Sequence, residues 1–253
     1  MSSLALSVKL PQFCISSGMI YFHKHSLLKE TLSHEDKVDI TIIAALFVAS
    51  KTCNALISLQ RLIQAYITLK GKGSLGSTEL DELKESIIKT EFDILNSIGF
   101  DLNVDLPYIY IEKMKPYITD CLKNDKLMKI IYNFLNDSFK LPLILYYAPI
   151  KIALSALYLV GVHFKVDLIN TKEGKKWYTI LSTDDETIDE IIEISNMINQ
   201  IYLVLRNKNK QPEENKSNLL QKGDLTLVND SLNLLKDKLE MSLLGKKRDL
   251  SGY

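Results

Sequence analysis

The sequence predicts an all-α protein made of two copies of one helical domain, followed by a further helix at the C-terminus. Two observations support this fold class. Apolar residues recur about every 3.6 positions along most of the chain, whereas the strict alternation typical of strands is scarce. In addition, the apolar segment that begins at Leu46 is matched by one that begins at Leu157, with large and small residues in the same order.

Four helices are predicted in the first half, mostly bounded by residues that favour a helix end. Their predicted bounds are about 11–28 after Pro11, about 36–52, a helix capped by Ser58, and a helix from Ser77 or Thr78 to Gly99. The second helix is apolar on nearly every side, so we expect it at the centre of a helical core.

The second half of the chain repeats this plan. The shift along the chain that takes Leu46 to Leu157, which we call the repeat offset, aligns Leu46–Ser50 with Leu157–Gly161, in a dense apolar helix predicted over about 150–164. The repeat offset also places the helix around Glu91 on a second long amphipathic segment, residues 191–205. Recurrence of two helices in the same order favours a duplicated domain.

This organisation divides the chain into four regions. They are an N-terminal domain over 1–105, a C-terminal domain over 106–206, a polar linker over 207–224, and a C-terminal helix and tail over 225–253. The last helix carries one apolar stripe, formed by Val228, Leu232, Leu235, Leu239 and Leu243. We expect this helix to dock on the body of the protein, and the alternative is that it binds a partner.

Composition and charge exclude several classes of function. Lys and Arg together number 31, as do Asp and Glu, so no overall charge attracts nucleic acid or an anionic membrane. The three cysteines form no CxxC motif and cannot all pair, which favours a reducing compartment. No apolar run reaches the roughly 18 residues that span a bilayer, so we expect no membrane association.

Motifs that suggest cofactor or metal binding lack the context they need. Residues 71–76 spell GxGxxG, yet no βαβ pattern surrounds them. His23 and His25 lie two positions apart on a predicted helix, so they diverge by roughly 200° and cannot chelate one metal. Because the chain also shows no nucleophile–base pair, we expect no catalytic residue, no cofactor and no metal.

Two charged residues occur at the margins of strongly apolar helices. The helix that contains Glu91 is predicted to bury one stripe, formed by Leu80, Leu83, Ile87, Ile88, Phe92, Leu95 and Ile98. Glu91 lies on this stripe, and a buried carboxylate needs a specific hydrogen-bond donor. Lys51 ends the apolar run 42–50, where the helix dipole alone accounts for a cation. Together, the two charges suggest a place where another protein's backbone is bound.

The segments around these two residues resemble the cyclin family. Leu46-Phe-Val-Ala-Ser-Lys51 is similar to the cyclin-box run that ends in lysine, and Glu91-Phe-Asp-Ile-Leu-Asn-Ser-Ile-Gly-Phe100 is similar to the helix with its partner glutamate. In cyclins these two residues hydrogen-bond to the kinase beside its regulatory C-helix, which holds the active-site ion pair together. The resemblance implies that Lys51 donates to a kinase carbonyl, that Glu91 accepts from kinase amides, and that Leu95 and Phe100 are apolar interface positions.

The resemblance covers roughly residues 8–205 and is strongest to the transcription-type cyclins K, L and T. One departure concerns the activation segment of the kinase. Family members often carry two acidic residues after the lysine, which engage arginines around that segment, whereas this chain has Thr52, Cys53 and Asn54. The resemblance therefore predicts that the C-helix contact is kept and that the activation-segment contact differs.

The function implied is that of a regulatory subunit. It forms a heterodimer with the catalytic subunit of a cyclin-dependent kinase and activates it, in transcription or pre-mRNA processing, without being an enzyme itself. This role implies a nuclear location, with the cytosol as the second compartment that fits. Transcription factors of the TFIIB type share the tandem fold and are the alternative, but they need a basic face for DNA. Because the chain is neutral, we expect no nucleic-acid partner.

Overall fold

The computed structural model describes residues 1–28, 35–71, 73, 75–117, 124–165, 168, 177–179 and 187–209. These residues form helices, two short 3₁₀ turns and loops, and no strand occurs among them. The helices are α1 (Ser2–Ser7), α2 (Gln12–Leu28), α3 (Glu35–Thr52), α4 (Leu59–Leu69), α5 (Ser77–Ser97), α6 (Tyr108–Met114), α7 (Asp125–Ser138), α8 (Pro149–Phe164) and α9 (Thr187–Asn209). The all-α prediction is confirmed.

Local hydrogen bonds account for several of the helix ends. The Ser58 side chain accepts a hydrogen bond from the backbone N–H of Arg61 at 3.3 Å, so it caps α4 as predicted. The Glu79 carboxylate accepts from the backbone N–H of Gly76 at 3.0 Å and thereby fixes the start of α5. Gly99 has φ 62 after the end of α5, a left-handed conformation that glycine adopts without steric cost.

The chain divides into two compact units, with the boundary between Leu106 and Pro107. In the first unit α3 is the central helix and packs against α2, α4 and α5. Ile43, Ala44, Ala45 and Leu46 of α3 are all fully buried, as expected for a helix that is apolar on nearly every side. Small residues let the helices approach closely, since a Cβ atom built on Gly18 of α2 would lie 3.1 Å from the Leu46 side chain.

In the second unit α8 occupies the corresponding central place and packs against α6, α7 and α9. Its residues Leu154, Ala156 and Leu157 are fully buried. The core of this unit is completed by Ile131 of α7 and by Ile194 of α9, which are also fully buried. Each unit therefore has a central apolar helix that packs against several other helices.

The repeat offset holds for three pairs of helices. Shifted by it, α2 falls on 123–139, α3 on 146–163 and α5 on 188–208, where the structure has α7, α8 and α9. At this offset Lys51 corresponds to Val162, and Glu91 corresponds to Tyr202. The two charges that the sequence singles out therefore occur in the first unit and have no counterpart in the second.

Some predictions concern segments that the structure does not describe. The C-terminal helix over 225–253 lies outside the described residues, as does the linker from residue 210 to 224. Helix α9 continues to Asn209, so the first three residues assigned to the linker are helical. Cys121 and His34 also lie outside the described part of the chain.

Burial of Cys14 predicts a loss of stability in alkaline solution. Cys14 is fully buried in α2, and burial, with Cys53 nearby as a smaller cause, raises the pKa of its thiol from 9.0 to about 12. The unfolded chain releases this proton above about pH 9 while the folded chain retains it, so stability falls as the pH rises from about 9 towards 12. Urea unfolding at about pH 8 and about pH 10 measures this loss. The free energy of unfolding should fall more between these two pH values for the wild type than for Cys14→Ala, by up to about 1.4 kcal/mol per pH unit. If the free energy of unfolding falls equally in both proteins, this thiol is not the group responsible.

Candidate protein-binding site

An ion pair joins the two charged residues that the sequence predicts to act together. The ammonium nitrogen Nζ of Lys51, at the end of α3, lies 2.7 Å from Oε1 of Glu91, in the second half of α5. The Lys51 side chain is 46% exposed, whereas that of Glu91 is only 14% exposed. Lys51 is thus the specific donor that the carboxylate needs, and it can also be reached from outside the molecule.

The position of Lys51 follows from the way α3 ends. Asn54 adopts a left-handed conformation with φ 53, and the N–H of Ala55 donates to the carbonyl of Ser50 at 2.9 Å. This hydrogen bond closes the last turn of α3 and satisfies one of its free carbonyls. Asparagine tolerates the left-handed region better than most residues, so Asn54 has a structural role in stopping α3 directly after Lys51.

The Lys51 ammonium also lies over the ring of Phe47, one turn earlier on α3, at 3.9 Å from the ring centroid. Cations are attracted to the face of an aromatic ring, by about 0.5–1 kcal/mol at exposed sites. The ring and the Glu91 carboxylate together hold the long lysine side chain in one place. This arrangement lowers the entropy that Lys51 would lose on binding a partner.

The structure corrects the predicted burial of α5. The sequence predicts that Ile88 and Phe92 are buried together with Ile87 and Ile98, but Ile88 is 54% exposed and Phe92 is 59% exposed. The buried face is formed by Ile87, Ile94 and Ile98. At about 100° per residue, the apolar positions of α5 spread over about 180° of its circumference, which is more than one core-facing stripe occupies.

Glu91 lies at the border between the two apolar faces of α5. On its exposed side are Ile88, Phe92 and Leu95, at the spacings of three and four that place residues on one helix face. Together with Phe100, which is 58% exposed, these side chains form what we call the exposed apolar patch. Exposed apolar side chains grouped in this way, with charges at the rim, mark interaction surfaces.

Phe100 belongs to this patch because of an unusual backbone conformation. Its φ of 59 lies in the left-handed region, which is costly for a bulky residue, and its N–H donates to the carbonyl of Leu95 at 2.9 Å. This turn brings the Phe100 ring beside that of Phe92, with 6.4 Å between ring centroids. Beyond it, the carbonyl of Leu102 accepts a hydrogen bond from the hydroxyl of buried Tyr21 at 2.8 Å, which anchors the segment on α2.

The four site residues predicted from sequence are all found in the same part of the first unit. Lys51 and Glu91 are in direct contact, and half-buried Leu95 lies on the same face of α5 as Glu91. Phe100 contacts Phe92, and Phe92 and Ile88 are the surface residues that the sequence reasoning missed. The unusual width of the apolar stripe on α5 was the signal that could have revealed them.

The rest of the described chain offers little alternative chemistry. Among its residues, no three His, Cys, Asp or Glu side chains gather into a group that could hold a metal ion. No helix in the described ranges is long and apolar enough to cross a membrane. His23 and His25 are both buried, and Nδ1 of His25 lies 2.8 Å from the hydroxyl of Ser97, which ties α2 to the end of α5.

Comparisons with known proteins agree with the resemblance seen in the sequence. No family model matches the chain. It is 26% identical over 191 residues to Cyclin-L1 of Homo sapiens and 25% identical over 189 residues to Cyclin-L2 of the same species, with 73% of this chain covered in both cases. It is also 25% identical over 210 residues to Cyclin-T1-5 of Arabidopsis thaliana, with 80% of this chain covered.

The chain spans only about a third of these relatives, since the matches cover 35% or 36% of their length. Within that region the similarity extends across both units, because 189 to 210 matched residues exceed the length of either domain. The helical fold of the described residues is the one that the resemblance implies. The resemblance of this chain to the transcription-type cyclins, the L and T types among them, is therefore confirmed.

Proposed function

We propose that this chain is the regulatory subunit of a cyclin-dependent kinase, which it binds and activates as a heterodimer. The observation that carries the proposal is the Lys51–Glu91 ion pair at the rim of the exposed apolar patch. A partner that covers the patch gains apolar burial, and the two charges at its border can bind backbone carbonyls and amides. The similarity to cyclins is the reason why we propose a kinase as this partner.

In this proposal the patch and the ion pair have different tasks. Ile88, Phe92 and Phe100 supply apolar area, which gives affinity. Lys51 donates to a carbonyl of the kinase and Glu91 accepts from amides, which sets the orientation of the regulatory C-helix. The chain contributes no catalytic group, since the kinase performs the phosphoryl transfer.

The setting that we propose is transcription or pre-mRNA processing in the nucleus. It follows from the similarity to cyclins of the L and T types. A direct check is whether the complex recovered from the native extract phosphorylates the tail repeats of RNA polymerase II. A complex that phosphorylates only unrelated substrates would be compatible with the proposed kinase contact, but it would refute the proposed role in transcription or pre-mRNA processing.

Lys51→Ala and Glu91→Ala test the kinase contact. Each change removes hydrogen bonds to a charged group, which are worth about 1.5–3 kcal/mol. It also leaves the other charge of the Lys51–Glu91 pair without its ion-pair partner. We expect the amount of co-purifying kinase, identified and quantified by mass spectrometry, to fall about tenfold or more with either variant. Asp81→Ala and Lys84→Ala are matched controls, because these residues form another exposed ion pair on α5, with 2.9 Å between Nζ and Oδ1.

A charge exchange separates a kinase contact from a purely internal ion pair. Lys51→Glu combined with Glu91→Lys keeps two opposite charges at the same two positions but exchanges the donor and the acceptor offered to a partner. We expect normal folding by circular dichroism and thermal unfolding, with kinase recovery still low. If the exchanged pair restores kinase recovery to the wild-type level, the two residues act only within this chain, and the proposed contact is wrong.

A further inference from the structure

A second surface of the first unit combines a groove with an unbalanced charge. The groove has a volume of about 460 Å³ and lies between the turn that follows α1, residues 8–11, and the turn that follows α3, residues 54–57, with Arg61 of α4 at its side. Its lining contains two cations, Lys9 and Arg61, and no acidic residue among those that the structure describes. Both cations are exposed.

The charge imbalance extends well beyond the groove. Residues 1–29 and 40–78, the two segments that supply its walls, contain no Asp or Glu. The acids of the first unit are instead concentrated at residues 30–39 and 79–105. The chain as a whole carries equal numbers of acidic and basic residues, yet the two segments that supply the groove walls contain only basic charged residues.

Two other cations of these segments, Lys51 and Lys70, have acidic partners. Lys51 is paired with Glu91, and Nζ of Lys70 lies 2.7 Å from Oδ2 of Asp39. Within the described residues, Lys9 and Arg61 form no ion pair. Their charges therefore remain available to a ligand in the groove.

The walls of the groove are held in uncommon backbone conformations. Lys9 has φ 61 and Asn54 has φ 53, and these are two of the four non-glycine residues with positive φ in the described chain. The N–H of Leu10 donates to the carbonyl of Ala5 at 2.9 Å, and the N–H of Ala55 donates to the carbonyl of Ser50 at 2.9 Å. These bonds satisfy carbonyls at the ends of α1 and α3, so fewer free acceptors remain there to repel an anion. Uncommon conformations of this kind cluster at binding sites.

The groove also offers apolar surface. Leu56 is 80% exposed, which is the largest exposed fraction among the large apolar side chains of the described residues. It lines the groove together with half-buried Ile57 and with buried Leu10. A ligand that covers Leu56 gains apolar burial in addition to the attraction of the two cations.

We propose that this groove binds an extended acidic segment of a partner protein. The segment places carboxylates beside Lys9 and Arg61 and an apolar side chain on Leu56. A nucleic acid fits the groove less well, because two cations neutralise few phosphates and the rest of the lining is largely apolar. The groove residues do not include Lys51, Glu91 or the exposed apolar patch, and of the residues at which the activation-segment contact is expected to differ they include only Asn54.

Fluorescence anisotropy with a labelled peptide of alternating glutamate and leucine tests the proposal on the full chain. We expect this peptide to bind at least tenfold more tightly than a peptide of alternating glutamine and leucine, and its affinity to fall as salt is added. Lys9→Glu combined with Arg61→Glu should weaken binding about tenfold and create affinity for a lysine–leucine peptide. Leu56→Ser should weaken binding severalfold and leave the salt dependence unchanged.

The control reverses two exposed lysines of the second unit. Lys126→Glu combined with Lys129→Glu makes the same change of net charge on α7 and should leave peptide binding unaltered. Equal binding of the glutamate and glutamine peptides, or equal losses in the control and the groove variant, would overturn the proposal. If a labelled DNA duplex binds more tightly than the glutamate–leucine peptide, and Lys9→Glu combined with Arg61→Glu abolishes this binding, the proposal would be overturned in favour of nucleic acid. A loss of peptide binding with normal kinase recovery would separate this site from the proposed kinase contact.

Discussion

Phe92→Asp is expected to reduce the recovery of the kinase about a hundredfold while the protein remains folded. Phe92 is 59% exposed and lies at the centre of the exposed apolar patch, between Ile88 and Phe100. In the proposed complex, a carboxylate at this position would be removed from water without a donor, and the aromatic contact would be lost. Aromatic residues at the centres of interfaces cost about 2 kcal/mol or more when they are truncated, and a buried charge adds to that cost.

Leu203→Asp is the matched control for this prediction. Leu203 is 58% exposed on α9, and the repeat offset aligns it with Phe92, so it occupies the equivalent position of the second unit. Both changes place a carboxylate at an exposed apolar site, so both should alter the free energy of unfolding by less than about 0.5 kcal/mol. If both variants, or neither, lost the kinase while circular dichroism and urea unfolding stayed normal, the exposed apolar patch would not be the specific contact surface.

Gly18→Val is expected to destabilise the first unit by about 3 kcal/mol, the largest effect on stability that we predict. A Cβ atom at this position would lie 3.1 Å from Cδ2 of Leu46, 3.5 Å from the carbonyl oxygen of Ala45 and 3.5 Å from Cβ of Ala49. The methyl groups of valine extend beyond Cβ and would meet the α3 backbone, which cannot move aside like the end of a side chain. Urea unfolding followed by circular dichroism measures the loss.

Gly18→Ala distinguishes overpacking from the loss of glycine itself. Alanine favours a helix over glycine by about 1 kcal/mol, and its methyl group requires only a small shift of the flexible end of Leu46. We therefore expect Gly18→Ala to change stability little. A valine variant as stable as the alanine variant would mean that α2 and α3 are less closely packed than the structure indicates.

The internal repeat and the apolar periodicity of the sequence made a large part of the fold predictable. The helix over 36–52 was predicted to be central because it is apolar on nearly every side, and α3 is the central helix of its unit. The repeat offset, read from one short segment, also relates α2 to α7 and α5 to α9. Helix ends at Ser58 and Gly99 were predictable because capping depends on residues adjacent in the chain.

The division of α5 into a buried and an exposed apolar face was not predictable from periodicity. A helical pattern shows which residues share a face, but it does not show how much of a wide apolar stripe the neighbouring helices cover. Ile94 is buried and Phe92 is exposed because α2 and α3 cover only one side of α5. The exposed apolar patch is thus a property of the packing.

The sequence by itself determined the all-helical class, the duplication, the helix ends and the two charges at the margins of apolar helices. Only the tertiary structure decided that Lys51 and Glu91, which are 40 residues apart in the chain, lie within 2.7 Å of each other. The same is true of the groove that joins Lys9 to Arg61. The physical reason is that local propensity acts over a few residues, whereas these contacts are set by how α1, α3, α4 and α5 pack together.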